Sequence, residues 1–134
     1  MSNITVTNTD AGSVLLEKWG EVDNVLVNSA ITETVFLEGT LLALHETDGK
    51  LYPYDPEAVT ENINVPKYVL TYEVTVAASS EAAVMALSAG KVNQNRLRLQ
   101  GGGPVTAAIL DQLLDRPIIP VAVTQTCVID NPQS

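Results

Sequence analysis

Apolar and polar residues alternate through the middle of the chain, which is the period-two pattern of strands with one buried face. The pattern is clearest over residues 68–76, where one phase is apolar throughout: Tyr68, Leu70, Tyr72, Val74 and Val76. Residues 32–44 are a second strand candidate with a bend at Gly39, and residues 82–92 are a third with a kink at Gly90. These runs predict a domain that is mostly β-structure.

Turn signals separate these strands. Asp48-Gly49 predicts a hairpin turn of type I′, which needs a positive φ at both central residues. Residues 51–56 carry two prolines, which lack the donor that a central strand needs, so this segment is predicted to be an edge or a loop. Residues 57–65 form a polar connection.

One helix is predicted near the end of the domain, over about residues 104–115. Its apolar stripe repeats at helical spacing: Val105, Ala108, Ile109 and Leu113, widened by Leu110 and Leu114. Pro104 suits the first helical turn, and Pro117 disfavours helix in the residue before it. A closing strand is expected over residues 118–124.

The segment before the first clear strand fits two structures. Val14, Leu15, Lys18, Trp19 and Val22 have loose helical spacing, whereas residues 25–27 fit a short strand. Gly20 and Asp23-Asn24 interrupt any long helix. We interpret Trp19 as a packing residue because aromatic side chains bury large areas. The role of residues 13–35 as an N-terminal extension is left open.

The two ends of the chain are polar. Residues 1–12 are either a frayed tail or an arm that becomes a strand on the sheet edge of a partner, for which Ile4, Thr5, Val6 and Thr7 have the right propensity. We therefore divide the chain into an arm (1–12), a single β-rich domain (13–124) and a C-terminal tail (125–134).

Composition narrows the choice of partners. The chain has 134 residues, 46% of them hydrophobic, which suffices for one domain with its own core. Its net charge of −9 repels nucleic acid and anionic membrane surfaces, so neither is an expected partner. The N-terminus has no basic segment followed by an apolar one, so we expect no signal peptide and synthesis in the cytoplasm.

No motif predicts a metal or cofactor site. The one cysteine, Cys127, is interpreted as a small buried hydrophobe. Residues 101–103 are a triple glycine followed by proline rather than by the Lys-Ser/Thr of a phosphate loop. Scattered carboxylates miss the spacing of a calcium loop: Asp48, Asp55, Glu57 and Glu61.

Catalysis is not expected either. Any Ser-His-Asp or Cys-His arrangement would have to use His45, the one histidine. His45 stands near the hairpin turn, where side chains are usually solvated, and no nucleophile-elbow motif accompanies it. We predict that it is exposed, has no partner and is dispensable.

A series of short motifs occurs in a characteristic order. It comprises Gly39-Thr40, Asp48-Gly49-Lys50-Leu51, Pro53 to Pro56, Val69-Leu70, Gly90-Lys91-Val92-Asn93 with Leu97, residues 107–114, and Ile118-Ile119. In this order, residues 38–124 resemble the head decoration (capsid-stabilising) proteins of lambda-like tailed phages. Residues 13–35 depart from the family pattern, because they are longer than its usual short arm.

The resemblance implies an α+β fold, mostly β: a small β-tulip or barrel-like domain with one short helix and a flexible N-terminal arm. It implies a structural virion protein that binds the major capsid protein on the outside of the shell as a homotrimer and stabilises the expanded shell. The arm residues Ile4, Thr5, Val6 and Thr7 would add a strand to a capsid sheet. Tyr52, Pro53 and Tyr54 form a further candidate contact edge.

Two alternatives stay open. A tail or head–tail connector subunit would form rings of higher order than three. A small soluble enzyme or carbohydrate-binding module would use His45 and nearby carboxylates, and it would bind a small molecule without needing to self-associate.

Overall fold

The structure is a computed structural model that describes residues 13–58 and 63–122. Within this part of the chain, the order is β1 (Leu15–Asn28), β2 (Thr34–Phe36), β3 (Leu41–Leu44), β4 (Leu51–Pro53), β5 (Tyr68–Leu70), β6 (Val74–Val76), β7 (Ser80–Asn93), α1 (Ala107–Leu114) and β8 (Ile118–Val121). A 3₁₀ turn, Gln94–Arg96, follows β7. The predicted fold class, mostly β with one short helix, is confirmed.

Five of these strands close into a barrel. The larger sheet has the order β1-β4-β3-β5-β7-β8, and β1 also pairs with β7, so the first and fifth strands of that order meet. The β1–β7 pair is antiparallel from Leu15↔Val92 to Asn28↔Ser80. β8 adds to the other side of β7 in parallel, and β2 and β6 form a separate two-stranded sheet.

The apolar residues divide between two cores. Leu41 and Leu42 are neighbours on β3 yet lie in different cores, and the same holds for Ala86 and Leu87 on β7. Successive side chains of a strand point to opposite faces, so these strands are buried on both sides. One core is covered by α1, through Ile109 and Leu113, and the other by Phe36 and Val76 of the β2–β6 sheet.

The helical interpretation of residues 14–22 is wrong. They belong mainly to β1, which pairs with β7 along its whole length, and three register shifts before Glu21 absorb the irregular spacing. Long-range pairing here overrides weak local periodicity. Trp19 is not a packing residue either, because 49% of its surface is exposed.

Residues 68–76 do not form one strand. The chain leaves the barrel after Leu70, and β6 pairs with β2 instead. At the break, the Tyr72 hydroxyl accepts the backbone N–H of Met85 (2.9 Å), which no strand satisfies there. Residues 32–44 divide in the same way at Gly39, where the predicted bend is confirmed by a φ of 93°.

The predicted hairpin exists, but its turn is not type I′. Leu44 pairs with Leu51, so residues 45–50 form the loop. Gly49 has a φ of 70°, whereas Asp48 is not among the described residues with positive φ. The Asp48 carboxylate instead accepts the Lys50 N–H (2.9 Å), which is an Asx turn.

β4 is a strand between β1 and β3, not an edge or a loop. The two prolines permit this because Pro53 is its last residue and Pro56 lies beyond it.

The helix begins at Ala107 rather than near residue 104. Thr106 is its N-cap, and its hydroxyl oxygen accepts the Ile109 N–H (3.4 Å). The predicted end is confirmed, and the closing strand is seen as β8. Cys127, the arm (1–12) and the tail (125–134) lie outside the described residues.

Candidate functional site

The described chain begins at an anchored point, which we call the arm root: Ser13, Val14 and Glu38. The Glu38 carboxylate accepts the Val14 N–H (3.1 Å) and the Ser13 hydroxyl (3.4 Å). Val14 is fully buried, and its carbonyl accepts the N–H of Asn93 at the end of β7 (2.8 Å). The predicted arm residues Ile4, Thr5, Val6 and Thr7 lie outside the described residues, but the point from which they depart is held firmly.

The other end of the described chain lies beside the arm root. Val121, the last residue of β8, pairs with Asn93 on the side of β7 away from Val14. Val14 and Val121, near the two ends of the described chain, therefore both lie beside the end of β7.

The candidate contact edge Tyr52, Pro53 and Tyr54 is the outgoing end of β4. Tyr52 and Pro53 are half-buried, whereas Tyr54 is only 3% exposed. The Tyr54 N–H donates to the Leu41 carbonyl (2.9 Å), and the Leu41 N–H donates to the Arg98 carbonyl (3.0 Å). Leu41 thus holds the segment after β4 beside the segment after β7.

A groove of about 890 Å³ lies between these two segments and α1. Its apolar walls include Pro53, Pro56, Ile63, Leu99, Pro104 and Ile109. Polar lining residues include Asp55, Glu57, Asn64, Gln100 and Gln112. We call this the β4 groove.

The β4 groove is linked to the arm root through two successive contacts. Gly39 follows Glu38 in the chain, and its carbonyl accepts the Arg98 N–H (3.0 Å). Leu99, the next residue, is part of the groove wall. The backbone around Gly39 and Arg98 therefore connects the arm root to the groove wall.

Tyr54 carries the most distinctive group in the groove. Burial, chiefly, raises the pKa of its phenol, and the nearby charge of Asp55 raises it further. Its hydroxyl makes no hydrogen bond with any described residue. Asp55 accepts the Glu57 N–H through one carboxylate oxygen (2.9 Å), which forms the turn at the groove rim.

His45 is not the solvated, partnerless residue that its position near a turn predicted. Its side chain is 18% exposed, and its ring centroid lies 4.7 Å from that of Tyr52. Its Nδ1 accepts the Thr47 N–H (3.3 Å) and lies 3.4 Å from the Asp48 carboxylate. These contacts brace the hairpin loop.

Asp48 completes this loop cluster. The Lys50 backbone N–H is the main cause that holds the pKa of Asp48 below its ordinary value, and the Tyr52 hydroxyl (3.0 Å) lowers it further. The Lys50 ammonium in turn donates to Glu81 on β7 (2.8 Å), which raises the pKa of Lys50. The cluster is therefore a polar brace between the loop and β7.

Sequence reasoning missed two features of this surface. Glu38 gives no local signal for its role, because its partners are more than twenty positions away. Trp19 is exposed on β1, and its indole N–H donates to Glu17 (2.6 Å).

Residues 13–58 and 63–122 contain neither a cluster of metal-ligating residues nor a helix that could span a membrane. Nowhere there do three or more His, Cys, Asp or Glu residues come together as a metal site would require. No helix in that part of the chain is long and apolar enough to cross a membrane.

Comparison with known proteins agrees with the resemblance seen in the sequence. The family model for bacteriophage lambda head decoration protein D matches residues 3–118, which is well over half of the chain. A comparison with curated proteins found no match. The family has a structural role in the phage capsid and a place on the capsid exterior. The chain therefore belongs to the family of bacteriophage lambda head decoration protein D.

Proposed function

We propose that the protein binds the outside of the phage capsid as a homotrimer, contacts the major capsid protein and stabilises the expanded shell. The observation that carries this proposal is the family match over residues 3–118. The trimer, the route of attachment and the stabilisation go beyond that match and are open to test.

The arm is the first proposed point of attachment. Twelve residues in extended form reach roughly 40 Å from the arm root. Ile4, Thr5, Val6 and Thr7 would add a strand to the edge of a capsid sheet, each main-chain hydrogen bond contributing about 0.5–1.5 kcal/mol. The anchoring of Val14 and Ser13 by Glu38 supports this, since a strand attached to a firmly held root transmits its binding to the domain.

Trimer formation would strengthen attachment to the capsid even if each arm binds weakly. Three arms on one particle bind as a single multivalent ligand, so the second and third attach at high effective concentration. Exposed apolar side chains support self-association, among them Ile31 (90% exposed), Val35 (44%), Leu37 (41%) and Tyr72 (41%). A trimer that binds the expanded shell and not its precursor would stabilise the expanded form by mass action.

Removal of residues 2–12 tests the arm. We expect the melting temperature of the free protein to change little, because Val14 and the cores stay in place, and we expect binding to expanded shells to fall sharply. Thr5→Pro should act like the deletion since it removes a backbone donor, whereas Thr5→Val keeps that donor and is the matched control. Expanded shells that lack the protein are incubated with each variant, and the occupancy of the variant on the shells is measured by cryo-electron microscopy. Equal occupancy by the truncated and intact proteins would contradict the role of the arm.

Sedimentation equilibrium, free and after release from shells, tests the trimer. A monomer in both preparations would refute it, and rings of higher order would favour the connector alternative. Heating decorated and bare shells tests stabilisation, because bound protein should raise the temperature at which the shell opens.

A further inference from the structure

The hairpin loop carries an Asp-Gly sequence that the proposed function does not use. Asp48 and Gly49 are both exposed in the loop of residues 45–50. In a flexible chain such a pair is reactive, because the backbone nitrogen of the glycine attacks the side-chain carboxyl carbon of the aspartate. Glycine favours this attack since it has no side chain to shield its nitrogen and reaches backbone conformations that other residues avoid.

The reaction proceeds in two balanced steps. First, a new N–C bond closes a succinimide ring, and the carboxyl hydroxyl leaves as water with the amide hydrogen. Second, a water molecule opens the ring at one of its two carbonyl carbons and gives aspartate or isoaspartate. In isoaspartate the main chain runs through the β-carbon, so the loop gains one backbone atom and loses the side-chain carboxylate of Asp48 that accepts the Lys50 N–H.

The folded loop restrains the attacking nitrogen. The Gly49 N–H donates to the His45 carbonyl (2.9 Å), and the Gly49 carbonyl accepts the side-chain nitrogen of Asn24 on β1 (3.0 Å). The peptide units on both sides of Gly49 are therefore held by hydrogen bonds. Attack on the Asp48 side chain would break the bond to His45.

The carboxyl group of Asp48 is restrained as well. One oxygen accepts the Lys50 backbone N–H (2.9 Å) and lies 3.4 Å from His45 Nδ1, and the other accepts the Tyr52 hydroxyl (3.0 Å). The Lys50 N–H, chiefly, keeps the pKa of Asp48 below its ordinary value. The carboxyl group is thus held in its ionised form, whereas loss of water requires the neutral acid.

We propose that Asp48-Gly49 is a latent site of isoaspartate formation and that the side chains of His45 and Tyr52 keep it unreactive in the folded protein. The two rings pack with centroids 4.7 Å apart, and both contact the Asp48 carboxylate, so they act as positioning residues for the loop. Isomerisation then requires local opening of the loop, and its rate follows the open fraction. The proposal applies to the free protein and is independent of capsid binding.

Ageing of the full-length protein at physiological temperature and neutral pH tests the site. After digestion, the aspartate and isoaspartate forms of the peptide that contains residue 48 are separated by chromatography and identified by mass spectrometry. The same chain unfolded in urea gives the rate of a flexible loop. We expect the folded protein to isomerise at least about tenfold more slowly, the effect of one or two hydrogen bonds. Equal rates in the folded and unfolded chains would overturn the proposal.

Tyr52→Phe isolates the restraint on the carboxyl group. It keeps a ring beside His45 and removes one hydrogen bond to Asp48, so isomerisation should become roughly two- to tenfold faster while the urea midpoint changes little. Glu46→Gln is the matched control, because Glu46 is exposed in the same loop and makes none of these contacts. Its rate should equal that of the unmodified sequence. An unchanged rate in Tyr52→Phe, or an equal rise in Glu46→Gln, would refute the role of the hydroxyl.

Two further variants separate local restraint from overall stability. His45→Ala removes the ring contact with Tyr52 and the Nδ1 contacts, and it should also raise the rate roughly two- to tenfold. Gly90→Ala strains β7 far along the strand from the loop and should leave the rate unchanged. An equal rise in both variants would mean that overall stability protects the site, which contradicts the proposal. Should Gly90→Ala not fold, the comparison of Tyr52→Phe with Glu46→Gln decides.

Discussion

Substitution of Asn28 gives the most stringent test of how the barrel is joined to the β2–β6 sheet. The residue is 3% exposed at the end of β1. Its side-chain NH₂ lies within hydrogen-bond distance of three carbonyl oxygens, those of Thr32 (3.1 Å), Val76 (3.0 Å) and Ala77 (3.1 Å), and its two hydrogens are shared among them. Its side-chain oxygen accepts the Ala30 N–H (3.1 Å). Asn28→Asp keeps the shape of the side chain and replaces its donor with a negative oxygen.

The expected loss of stability in the Asn28→Asp variant is large. Two donor hydrogens are lost at about 1 kcal/mol for each hydrogen bond, and a buried carboxylate is placed against carbonyl oxygens, which adds about 1–2 kcal/mol. We expect Asn28→Asp to lower the free energy of unfolding by about 3–4 kcal/mol near neutral pH, a large part of the 5–15 kcal/mol typical of small domains.

The cost should depend on pH with a definite sign. Burial and the three carbonyls favour the protonated acid, so the folded-state pKa of the new Asp is raised above its unfolded value of about 3.9. The penalty is complete above the folded pKa. It shrinks as the pH falls through that pKa and is smallest below the unfolded value, where the acid is neutral in both states.

Urea denaturation at fixed protein concentration measures the penalty, near neutral pH and in mild acid. Asn24→Asp is the matched control on the same strand, because its nitrogen donates to one carbonyl, that of Gly49 (3.0 Å), and the accepted Val25 N–H is kept. Asn24→Asp should lower the free energy of unfolding by about 1 kcal/mol or less. The role of Asn28 is contradicted if the losses in free energy of unfolding for Asn28→Asp and Asn24→Asp agree within about 1 kcal/mol. It is also contradicted if the difference between the two losses does not become smaller in mild acid.

Three further predictions concern strand β7, the hairpin loop and the charge. Gly90→Ala should destabilise the fold by about 2–4 kcal/mol in urea, because its φ is 150° and a methyl would overlap the Glu17 carbonyl, whereas Gly101→Ala, with open space around it, should change little. His45→Ala should keep shell occupancy and cost roughly 0.5–1.5 kcal/mol of stability through the lost Tyr52 contact, and loss of occupancy with unchanged stability would revive a functional role. The net charge of −9 predicts no gel shift with DNA at physiological salt, so a salt-sensitive micromolar complex would be a contradiction.

Local chemistry predicted the bends and ends of elements well. Gly39 and Gly90 were recognised as bends because glycine readily takes the positive φ they adopt. The end of α1 is predictable because Pro117 disfavours helix just before it, whereas Pro104 predicts too early a start because the N-cap is Thr106. Family membership followed from the order of short motifs, each of them weak alone.

The pairing partner of each strand could not be predicted from the same patterns. The alternation over residues 68–76 is genuine, yet β5 and β6 pair with different strands, because the chain changes partner at Tyr72. Period-two alternation reports burial of one face and says nothing about which strand lies alongside. The interpretation of Trp19 failed for the same reason, since its exposure depends on where β1 lies in the barrel.

The sequence by itself determined the β-rich class, the hairpin position, the acidic exterior and the family, because each depends on short local motifs, on their order along the chain or on composition. Tertiary structure alone decided that β1 is a strand along β7 and that Glu38 anchors Val14. It also placed Tyr54 and Leu99 around one groove. These contacts join residues far apart in sequence, and they form only when burial of both cores compensates the entropy of closing the barrel.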